Sequence, residues 1–540
     1  MNRSMNLATV SPNLRFPLGG AMYSETNDSR KTLGDVDVLY HDGIYHLFHL
    51  VLPNHDFIAH AVSSDGFSWR RVENALFIGH PGSWDDSMLW TMHVSPDPHG
   101  LTKWRMFYTG LSRRDAGQKQ RLGMAVSDDL YRWTKCPVNW VDRRSPLPYD
   151  LPGRPSQPPF EFDPDSDLPL QPPSKYYESE TDQGRHWISW RDPFFYHDRG
   201  QGYLLCAGRV KEGPIVRRGC VAAMQEVSPG KFKALPALHH PGLYDDIEVP
   251  NLLKIDGEYY LIGSIREDAK VRYWHTNEIG QPWRSYHDNV LLASGNYAGR
   301  ITKDDKGYLL WNFYTADSQE RQKNNLMPPP KRLRRLENGM LRCSSFEGFD
   351  QRVTQNNDAT KMCPLKTTRR GDQCVVGDGR LELESHSGFQ AYLFDDYQDC
   401  FRFRARFCQS GQGKMGFVFR IDRETHDGYY LSLDLTKGVA QLRAWGSGEE
   451  GSGENMMQFR SLQSAFWNTD EHPDNHFQLI AYGSYIELSI DSRVLLSLSD
   501  QTFSTGGVGI YVESAAVRVD NPVLETLRSP VQSDEHLAQG

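Results

Sequence analysis

The chain has 540 residues, of which 38% are apolar and 24% are charged, and its formal net charge is −9. This length exceeds one ordinary hydrophobic core, so we expect two domains. The acidic balance, without a basic face, argues against a nucleic-acid partner, and no stretch approaches the ~18 consecutive apolar residues that cross a bilayer.

The N-terminal segment contains no apolar region of the kind found in signal peptides, which favours a cytoplasmic location. The eight cysteines are scattered, without a C-x-x-C pair or a spacing typical of metal ligands. We therefore expect free thiols in a reducing compartment.

A short pattern recurs along the first part of the chain: a polar turn, usually with Asp and Gly, is followed by a Tyr- or Phe-rich strand. It occurs at residues 40–50, 98–110, 196–208, 254–264 and 303–314. Each copy is a β-hairpin signal. Five copies over about 300 residues predict an all-β fold that begins with a five-bladed β-propeller.

A second repeat follows the first two hairpin signals. Residues 59–77 resemble residues 123–141, with Trp69 and Trp133 in equivalent places. The alternative is a β-sandwich whose hairpins are alike by accident, and this paired repeat argues against it.

Between the second and third hairpin signals lies a proline-rich stretch, residues 145–177. Its prolines prevent regular strand pairing, so we expect a long surface insertion. Its role stays open between a lid or rim of a pocket and a passive loop.

The pattern changes after residues 326–339. Long strict alternation of apolar and polar residues at 400–409, 428–435 and 477–498 predicts a lectin-like β-sandwich. We therefore predict a propeller over residues 1–330 and a sandwich over 331–528. We expect a disordered tail over 529–540.

Three acidic residues precede hairpin signals in different blades: Asp35, Asp192 and Glu248. Equivalent places in the blades bring equivalent side chains to the same end of the axial funnel. Three converging carboxylates repel one another, which is costly unless chemistry needs them. Cleavage of a glycosidic bond needs a nucleophile or base, a protonated acid, and a group that stabilises the cationic transition state.

The stretches that carry these acids resemble the three acidic motifs of glycoside hydrolase family 32. They read GDVDVLYHDGIYHLFHL, WRDPFFY and EVPNLLKIDGEYYLIGS, in that order, and GNYAGRITKDDKGYLLWNFY (295–314) resembles the last blade of that family. The resemblance implies a five-bladed propeller glycosidase with a C-terminal sandwich. It implies an oligo- or polysaccharide substrate with a furanosyl linkage, most simply a β-fructofuranosyl one.

The resemblance also implies the roles of the acids. Asp35 would be the nucleophile of a retaining mechanism, Asp192 the transition-state stabiliser and Glu248 the general acid/base. Arg191 would hydrogen-bond the sugar or orient the acid pair. The carboxylates would carry all proton transfers, so we expect no cofactor and no metal.

Two departures from the family pattern leave alternatives open. The first motif has Gly34-Asp35-Val36-Asp37-Val38 where the family usually has Asn-Asp-Pro-Asn-Gly, so Asp37 is a rival nucleophile, although a glycine before Asp35 favours close approach of a ligand. Val249 follows Glu248 where the family tends to have Cys. An inverting arabinanase-like or arabinofuranosidase activity, a galactofuranosidase and a non-catalytic sugar-binding protein therefore remain alternatives. A phosphorylase would need a phosphate site, for example at Arg217, Arg218 and Arg266.

Other side chains are candidates for substrate contacts in the funnel. Trp90 and His93 precede the second hairpin signal, and Tyr297 and Arg300 precede the fifth. Packing explains each of these equally well. We interpret His60, Trp190 and Trp274 as packing residues, and Asp245 and Asp246 as solvated rather than as metal ligands.

Overall fold

The computed structural model describes residues 22–24, 31–136, 168–181, 185–315, 325–377, 379–397, 399–411, 413–447, 457–472 and 474–530. Their regular structure is almost entirely β-strand, so the predicted all-β class is confirmed. The 3-10 helices in these ranges are short: Arg113–Asp115, Ile215–Arg217, Glu347–Arg352 and Thr469–Glu471. Within the same ranges, no helix is both long and apolar enough to cross a membrane.

The first three sheets of the fold follow one another along the chain. The first contains β1 (Thr32–His41), β2 (Ile44–Leu52), β3 (Phe57–Ser63), β4 (Arg70–Arg71) and β5 (Leu76–Phe77). The second contains β6 (Met88–Pro96), β7 (Trp104–Leu111), β8 (Gln120–Ser127) and β9 (Thr134–Lys135). The third contains β10 (Trp190–Asp198), β11 (Gln201–Arg209), β12 (Gly219–Ser228) and β13 (Lys231–Ala234).

Two further sheets complete the set. The fourth contains β14 (Ile247–Ile255), β15 (Glu258–Ile265), β16 (Lys270–Thr276) and β17 (Val290–Leu292). The fifth contains β18 (Asn296–Asp304), β19 (Gly307–Tyr314), β20 (Lys331–Arg335) and β21 (Leu341–Ser344). The innermost strands contact one another in the cyclic order β1, β6, β10, β14, β18 and back to β1. The five sheets therefore form a closed ring, and the predicted five-bladed propeller is confirmed.

The recurring hairpin signals correspond to the turns between the first and second strands of the blades. Asp42-Gly43, Arg199-Gly200 and Asp256-Gly257 each form a two-residue turn in which both residues have positive φ, from 49° to 87°. Such turns follow the twist of the flanking strands, and glycine adopts positive φ at little cost. Local turn chemistry thus explains why the sequence pattern predicts the blades.

The second sequence repeat is also one structure used twice. In the first sheet the Ser63 and Asp65 side chains accept hydrogen bonds from the backbone N–H groups of residues 66 to 68. Ser127 and Asp129 do the same for residues 130 to 132 in the second sheet. The repeat therefore reflects one side-chain-capped turn, built from the same residue types in both blades.

The proline-rich stretch lies partly outside the described residues, which resume at residue 168. Leu170 exchanges backbone hydrogen bonds with Leu122 of β8, and the Tyr177 ring lies 5.1 Å from that of Trp190. Both Leu170 and Tyr177 are fully buried. This end of the predicted surface insertion therefore packs in the core between the second and third blades.

The C-terminal strands pair into one sheet with a sandwich-like arrangement. They are β22 (Val353–Asn357), β23 (Met362–Pro364), β24 (Gln373–Gly377), β25 (Arg380–Tyr397), β26 (Phe401–Ser410), β27 (Lys414–Ile421), β28 (Gly428–Asp434), β29 (Val439–Ser447), β30 (Met457–Phe466), β31 (His476–Tyr482), β32 (Tyr485–Ile490), β33 (Arg493–Ser499) and β34 (Gly507–Leu527). The long strand β34 pairs with β22, β25, β26 and β27. The apolar faces enclose one core rich in Phe and Leu, and the predicted C-terminal sandwich is confirmed.

The propeller and the C-terminal sheet share a second apolar core. Trp311 and Phe346 belong to the same buried cluster as Tyr482 and Tyr485 of the C-terminal sheet. The predicted domain boundary at residue 330 stays a prediction, and β20 and β21, which follow it, pair with the fifth blade. The predicted tail over 529–540 lies almost wholly outside the described residues.

Three histidines are buried in the first blade. His46 Nδ1 lies 3.1 Å from His60 Nε2, and His49 Nε2 lies 2.9 Å from the Tyr23 hydroxyl. Burial lowers the pKa of His46 to about 4 and those of His49 and His60 to about 3. The positive charge of Arg71 lowers the pKa values of His49 and His60 further. The folded protein therefore keeps all three rings neutral at pH values where an unfolded chain protonates them.

We predict that stability falls between pH 6.5 and pH 5, where most carboxylates stay ionised. The unfolded histidines gain protons in this window and the folded ones do not, so each costs about 1.4 kcal/mol per pH unit. Urea denaturation of His60→Gln should show a weaker pH dependence than the wild type. The exposed His287→Gln is the control, and equal slopes for the two variants would contradict the prediction.

Candidate active site

The inner strands of four blades break their regular pairing at the same height. Each has two unpaired residues, at 34–35 in β1, 192–193 in β10, 249–250 in β14 and 298–299 in β18. Asp192, Val249 and Ala298 have left-handed backbone conformations there, with φ from 50° to 63°. Such bulges redirect side chains. Three of the four bulges lie at or directly beside the predicted acids, Asp35, Asp192 and Glu248.

Asp35 is partly buried, and its Oδ2 accepts a hydrogen bond from the Thr91 hydroxyl of the second blade. Burial and the charge of Asp192 raise the pKa of Asp35 to about 7, and the charge of Glu248 adds to this effect. The Thr91 hydrogen bond and the charge of Arg300 act in the opposite direction. The charges of Asp192 and Glu248 thus both act on Asp35, which supports the prediction that the three acids converge.

Asp192 is the most buried of the three acids, with 2% of its surface exposed. Its Oδ2 accepts a hydrogen bond of 3.1 Å from the backbone N–H of Val249, which immediately follows Glu248. Its own N–H donates to Thr109 Oγ1 at 3.2 Å. Its buried Oδ1 has no hydrogen-bond partner among the described residues, so this oxygen can accept a hydrogen bond from a ligand hydroxyl.

Glu248 is held at both carboxylate oxygens. Arg191 Nη2 donates to Oε1 at 2.5 Å, and the Tyr297 hydroxyl donates to Oε2. Burial and the charge of Glu248 raise the pKa of Tyr297 far above its usual value, so the phenol remains a donor. Arg191 and Tyr297, both predicted as substrate contacts or orienting groups, therefore fix the position of the Glu248 carboxylate.

Arg191 is itself positioned by a buried polar network. Its Nη1 donates to Ser189 Oγ at 2.6 Å and its Nη2 to Asp246 Oδ2 at 3.3 Å. Asp246 is fully buried and also accepts a hydrogen bond of 2.8 Å from Arg209. The interpretation of Asp246 as solvated is therefore wrong. The sequence signal for Asp246, an acid two residues before Glu248, was available but ambiguous.

Asp37 is placed differently from its rival Asp35. It is 1% exposed, and its Oδ2 accepts a 2.7 Å hydrogen bond from the Val94 backbone N–H. Its Oδ1 lies 3.2 Å from His93 Nδ1 and 3.6 Å from Arg300 Nε. Both oxygens thus have partners within the protein, whereas the charges of Asp192 and Glu248 act on Asp35.

Arg300 lies at the axis of the propeller and is fully buried. From the fifth blade it donates hydrogen bonds to three carbonyl oxygens, those of Met92, Pro193 and Pro250, at 2.8 to 3.2 Å. With Asp37 as its ionic partner, the guanidinium contacts all four other blades. We therefore assign Arg300 a positioning role in place of the predicted contact with substrate.

The remaining predicted contacts lie on the second blade. The Trp90 ring is partly exposed and stacks on His55, with centroids 5.5 Å apart, and the His93 ring stacks on Phe194 at 4.2 Å. His93 is occupied by Asp37 and Phe194, while Trp90 keeps an exposed edge. Thr91, which bonds Asp35, was not predicted, because a threonine in a strand carries no sequence signal of such a role.

The glycine before Asp35 has another function than the one predicted. A Cβ atom at Gly34 would lie 2.8 Å from Leu50 Cβ, so the glycine permits close packing of β1 on β2.

The three arginines named as a candidate phosphate site differ in their surroundings. Arg218 is buried and pairs with Glu178, while Arg217 and Arg266 are exposed. Among the described residues there is no cluster of His, Cys, Asp and Glu that could hold a metal ion.

A family model matches the first part of the chain. Residues 34–152 match the model described as the glycosyl hydrolases family 32 N-terminal domain. The match includes the motif around Asp35, and it confirms the predicted resemblance and the prediction of a glycosidase. Among curated proteins, no sequence matches the chain.

Solved structures with the same fold span nearly the whole chain at low sequence identity. Fructan 1-exohydrolase IIa from Cichorium intybus is 12% identical, with a TM-score of 0.62, covering 95% of this chain and 98% of its own. Exo-inulinase from Aspergillus awamori has the same TM-score and coverage at 14% identity. Sucrose-6-phosphate hydrolase from Lactobacillus gasseri is 14% identical, with a TM-score of 0.59, covering 95% of this chain and 96% of its own. At these identities the likeness establishes the fold.

We predict that kcat/KM falls as the pH rises through about 7. The charges of Asp192 and Glu248 act on Asp35, and the raised pKa of Asp35 marks the pH at which this group of acids loses a proton. Without this proton, no acid remains to protonate the leaving group. A plot of kcat/KM against pH should therefore have a descending limb near pH 7, and its midpoint reports this pKa in the free enzyme.

Thr91→Val tests the assignment of that limb. Removing a hydrogen bond to the Asp35 anion should move the limb upward by about one pH unit, whereas Thr91→Ser should leave it in place. A limb that does not differ between the two variants, or an activity that rises through pH 7, would contradict the assignment.

Proposed function

We propose that this chain, a divergent relative of glycoside hydrolase family 32, hydrolyses a β-fructofuranosyl linkage in an oligo- or polysaccharide with retention of configuration. One observation carries the proposal. Asp35, Asp192 and Glu248 come from three different blades and lie at or beside bulges of the inner strands, where the charges of Asp192 and Glu248 act on Asp35 and Glu248 is held by Arg191 and Tyr297.

The proposed reaction has two displacement steps. In the first, an Asp35 oxygen bonds to the anomeric carbon while the bond to the leaving oxygen breaks, and the proton of Glu248 passes to that oxygen. In the second, Glu248 takes a proton from water, the water oxygen bonds to the anomeric carbon, and the Asp35 carboxylate is released.

The surroundings support this division of roles. Asp192 has a buried oxygen without a partner among the described residues, which suits a hydrogen bond to a furanose hydroxyl. Arg191 and Tyr297 hold Glu248 from two directions, which suits a group that must both give and take a proton at one fixed place. Asp37 and Arg300 bond to the protein and stabilise this geometry from beneath.

The choice of sugar draws on the relatives. The neighbouring structures include a fructan exohydrolase in complex with 1-kestose, an exo-inulinase and a sucrose-6-phosphate hydrolase. These neighbours agree with the fructosyl linkage implied by the sequence motifs. We therefore expect fructose as a product from fructans or short fructo-oligosaccharides.

The decisive experiment measures turnover of sucrose, 1-kestose, inulin, levan, arabinan and an aryl galactofuranoside. We expect release of fructose by the wild type, and loss of at least about 10³-fold in kcat for Asp35→Asn and Glu248→Gln. Glu248→Gln should still bind 1-kestose. The exposed Glu212→Gln is the matched control and should keep full activity.

Other outcomes would replace the proposal. Binding without turnover of any glycoside would identify a sugar-binding protein, and turnover of arabinan alone would identify an arabinanase-like enzyme. Turnover that requires inorganic phosphate would identify a phosphorylase. Proton NMR of the first product formed would separate retention from inversion.

A further inference from the structure

A crevice of about 410 Å³ lies between the third and fourth blades, away from the axis. One wall is the segment after β13, which includes His239 and His240, and the other includes Trp274 of β16 with Trp283 and Ser285 from the connection to β17. Its volume is within the range of small-molecule binding sites.

The crevice is separate from the candidate active site. Glu248 on β14 pairs with Ser264 on β15, which pairs with Val271 on β16, and Trp274 lies three residues further along that strand. Two strand spacings outward and three residues along correspond to roughly 10 Å in each direction. A sugar in the crevice would therefore lie well outside bonding distance of the catalytic acids.

The lining combines flat rings with unsatisfied polar atoms. The His239 and Trp274 rings lie 4.7 Å apart, and Trp283 is partly buried in the same blade interface. His239 Nε2 and Trp283 Nε1 are buried and have no hydrogen-bond partner among the described residues. Indole faces stack on the C–H faces of sugar rings, and a buried imidazole or indole nitrogen requires a polar partner.

The charge of the lining narrows the class of ligand. None of the described residues that line the crevice is Lys, Arg, Asp or Glu. Burial also lowers the pKa of His239 to about 4, so its ring is neutral near pH 7. A phosphate or carboxylate ligand would find no Lys or Arg partner there, whereas a neutral ring bearing hydroxyl groups matches both the apolar faces and the unpaired His239 Nε2 and Trp283 Nε1.

We propose that this crevice is a second carbohydrate-binding site, which holds a sugar unit of the oligo- or polysaccharide against Trp283 and Trp274, with a hydroxyl group bonded to His239. The inference rests on the proposed function for the identity of the sugar. It goes beyond that function because the site performs no chemistry and increases affinity for longer chains that reach both sites.

The first test is binding of 1-kestose to the inactive Asp35→Asn/Glu248→Gln protein by calorimetry. Two binding events are expected, and the weaker one should lose about threefold to tenfold in affinity in Trp283→Ala. Trp283→Phe, which keeps an aromatic ring, should retain most of the affinity of this weaker binding event. Trp445→Ala, which removes an exposed tryptophan of the C-terminal sheet, is the matched control and should bind like the parent.

The second test is the kinetics of otherwise wild-type Trp283→Ala. KM for inulin should rise about threefold to tenfold with unchanged kcat, while kcat and KM for sucrose stay as in the wild type. A single binding event, or an equal effect of Trp283→Ala on sucrose and inulin, would overturn the second site and leave the proposed function intact. If the wild type hydrolyses no glycoside while sugar binding still depends on Trp283, the proposed function would be overturned instead.

Discussion

The Arg300 guanidinium at the axis is the interaction on which the rest of the structure depends. It donates to carbonyl oxygens of the second, third and fourth blades and pairs with Asp37 of the first. A buried cation is tolerated only when its donors and its charge find partners, so the five inner strands must hold these partners at one height. Closure of the ring of blades therefore depends on these partners of Arg300.

The same contacts fix where the chemistry can occur. Pro193 and Pro250, whose carbonyls bond Arg300, are themselves bulge residues of β10 and β14, next to Asp192 and Val249. Residues held in left-handed conformations cost free energy and persist only when the surroundings fix them. The axial hydrogen bonds supply that constraint at the bulges that contain Asp192 and adjoin Glu248. The contacts that close the ring therefore also hold the strand segments that carry these two acids.

The parts of the fold that were predictable are those controlled by neighbours in the chain. Turns such as Asp42-Gly43 and Asp256-Gly257 require particular residues within a few positions, so the hairpins and the five blades could be identified from sequence. The three acids could be identified because each precedes such a hairpin. Their proximity stays a prediction from the blade symmetry, and the effect of the Asp192 and Glu248 charges on the pKa of Asp35 supports it.

The parts that were not predictable depend on partners far apart in the chain. Arg300 bonds the carbonyl of Met92, and Thr91 bonds Asp35, across separations that no local pattern records. Because such distant partners cannot be read from local patterns, we interpreted Arg300 as a substrate contact and Asp246 as solvated. The choice of Asp35 over Asp37 stays a prediction, and the reason for it drawn from Gly34 does not hold, because Gly34 serves packing against Leu50.

The central claim is that closure around Arg300 brings the Asp35 carboxylate within bonding distance of the anomeric carbon. The most direct measurement is mass spectrometry of enzyme that has been mixed with a fructosyl substrate, quenched with acid within a turnover and digested. The account predicts a fructosyl adduct on the peptide that contains Asp35, lost in Asp35→Asn. An adduct on any other carboxylate, or turnover by a fully active enzyme with no adduct, would contradict it.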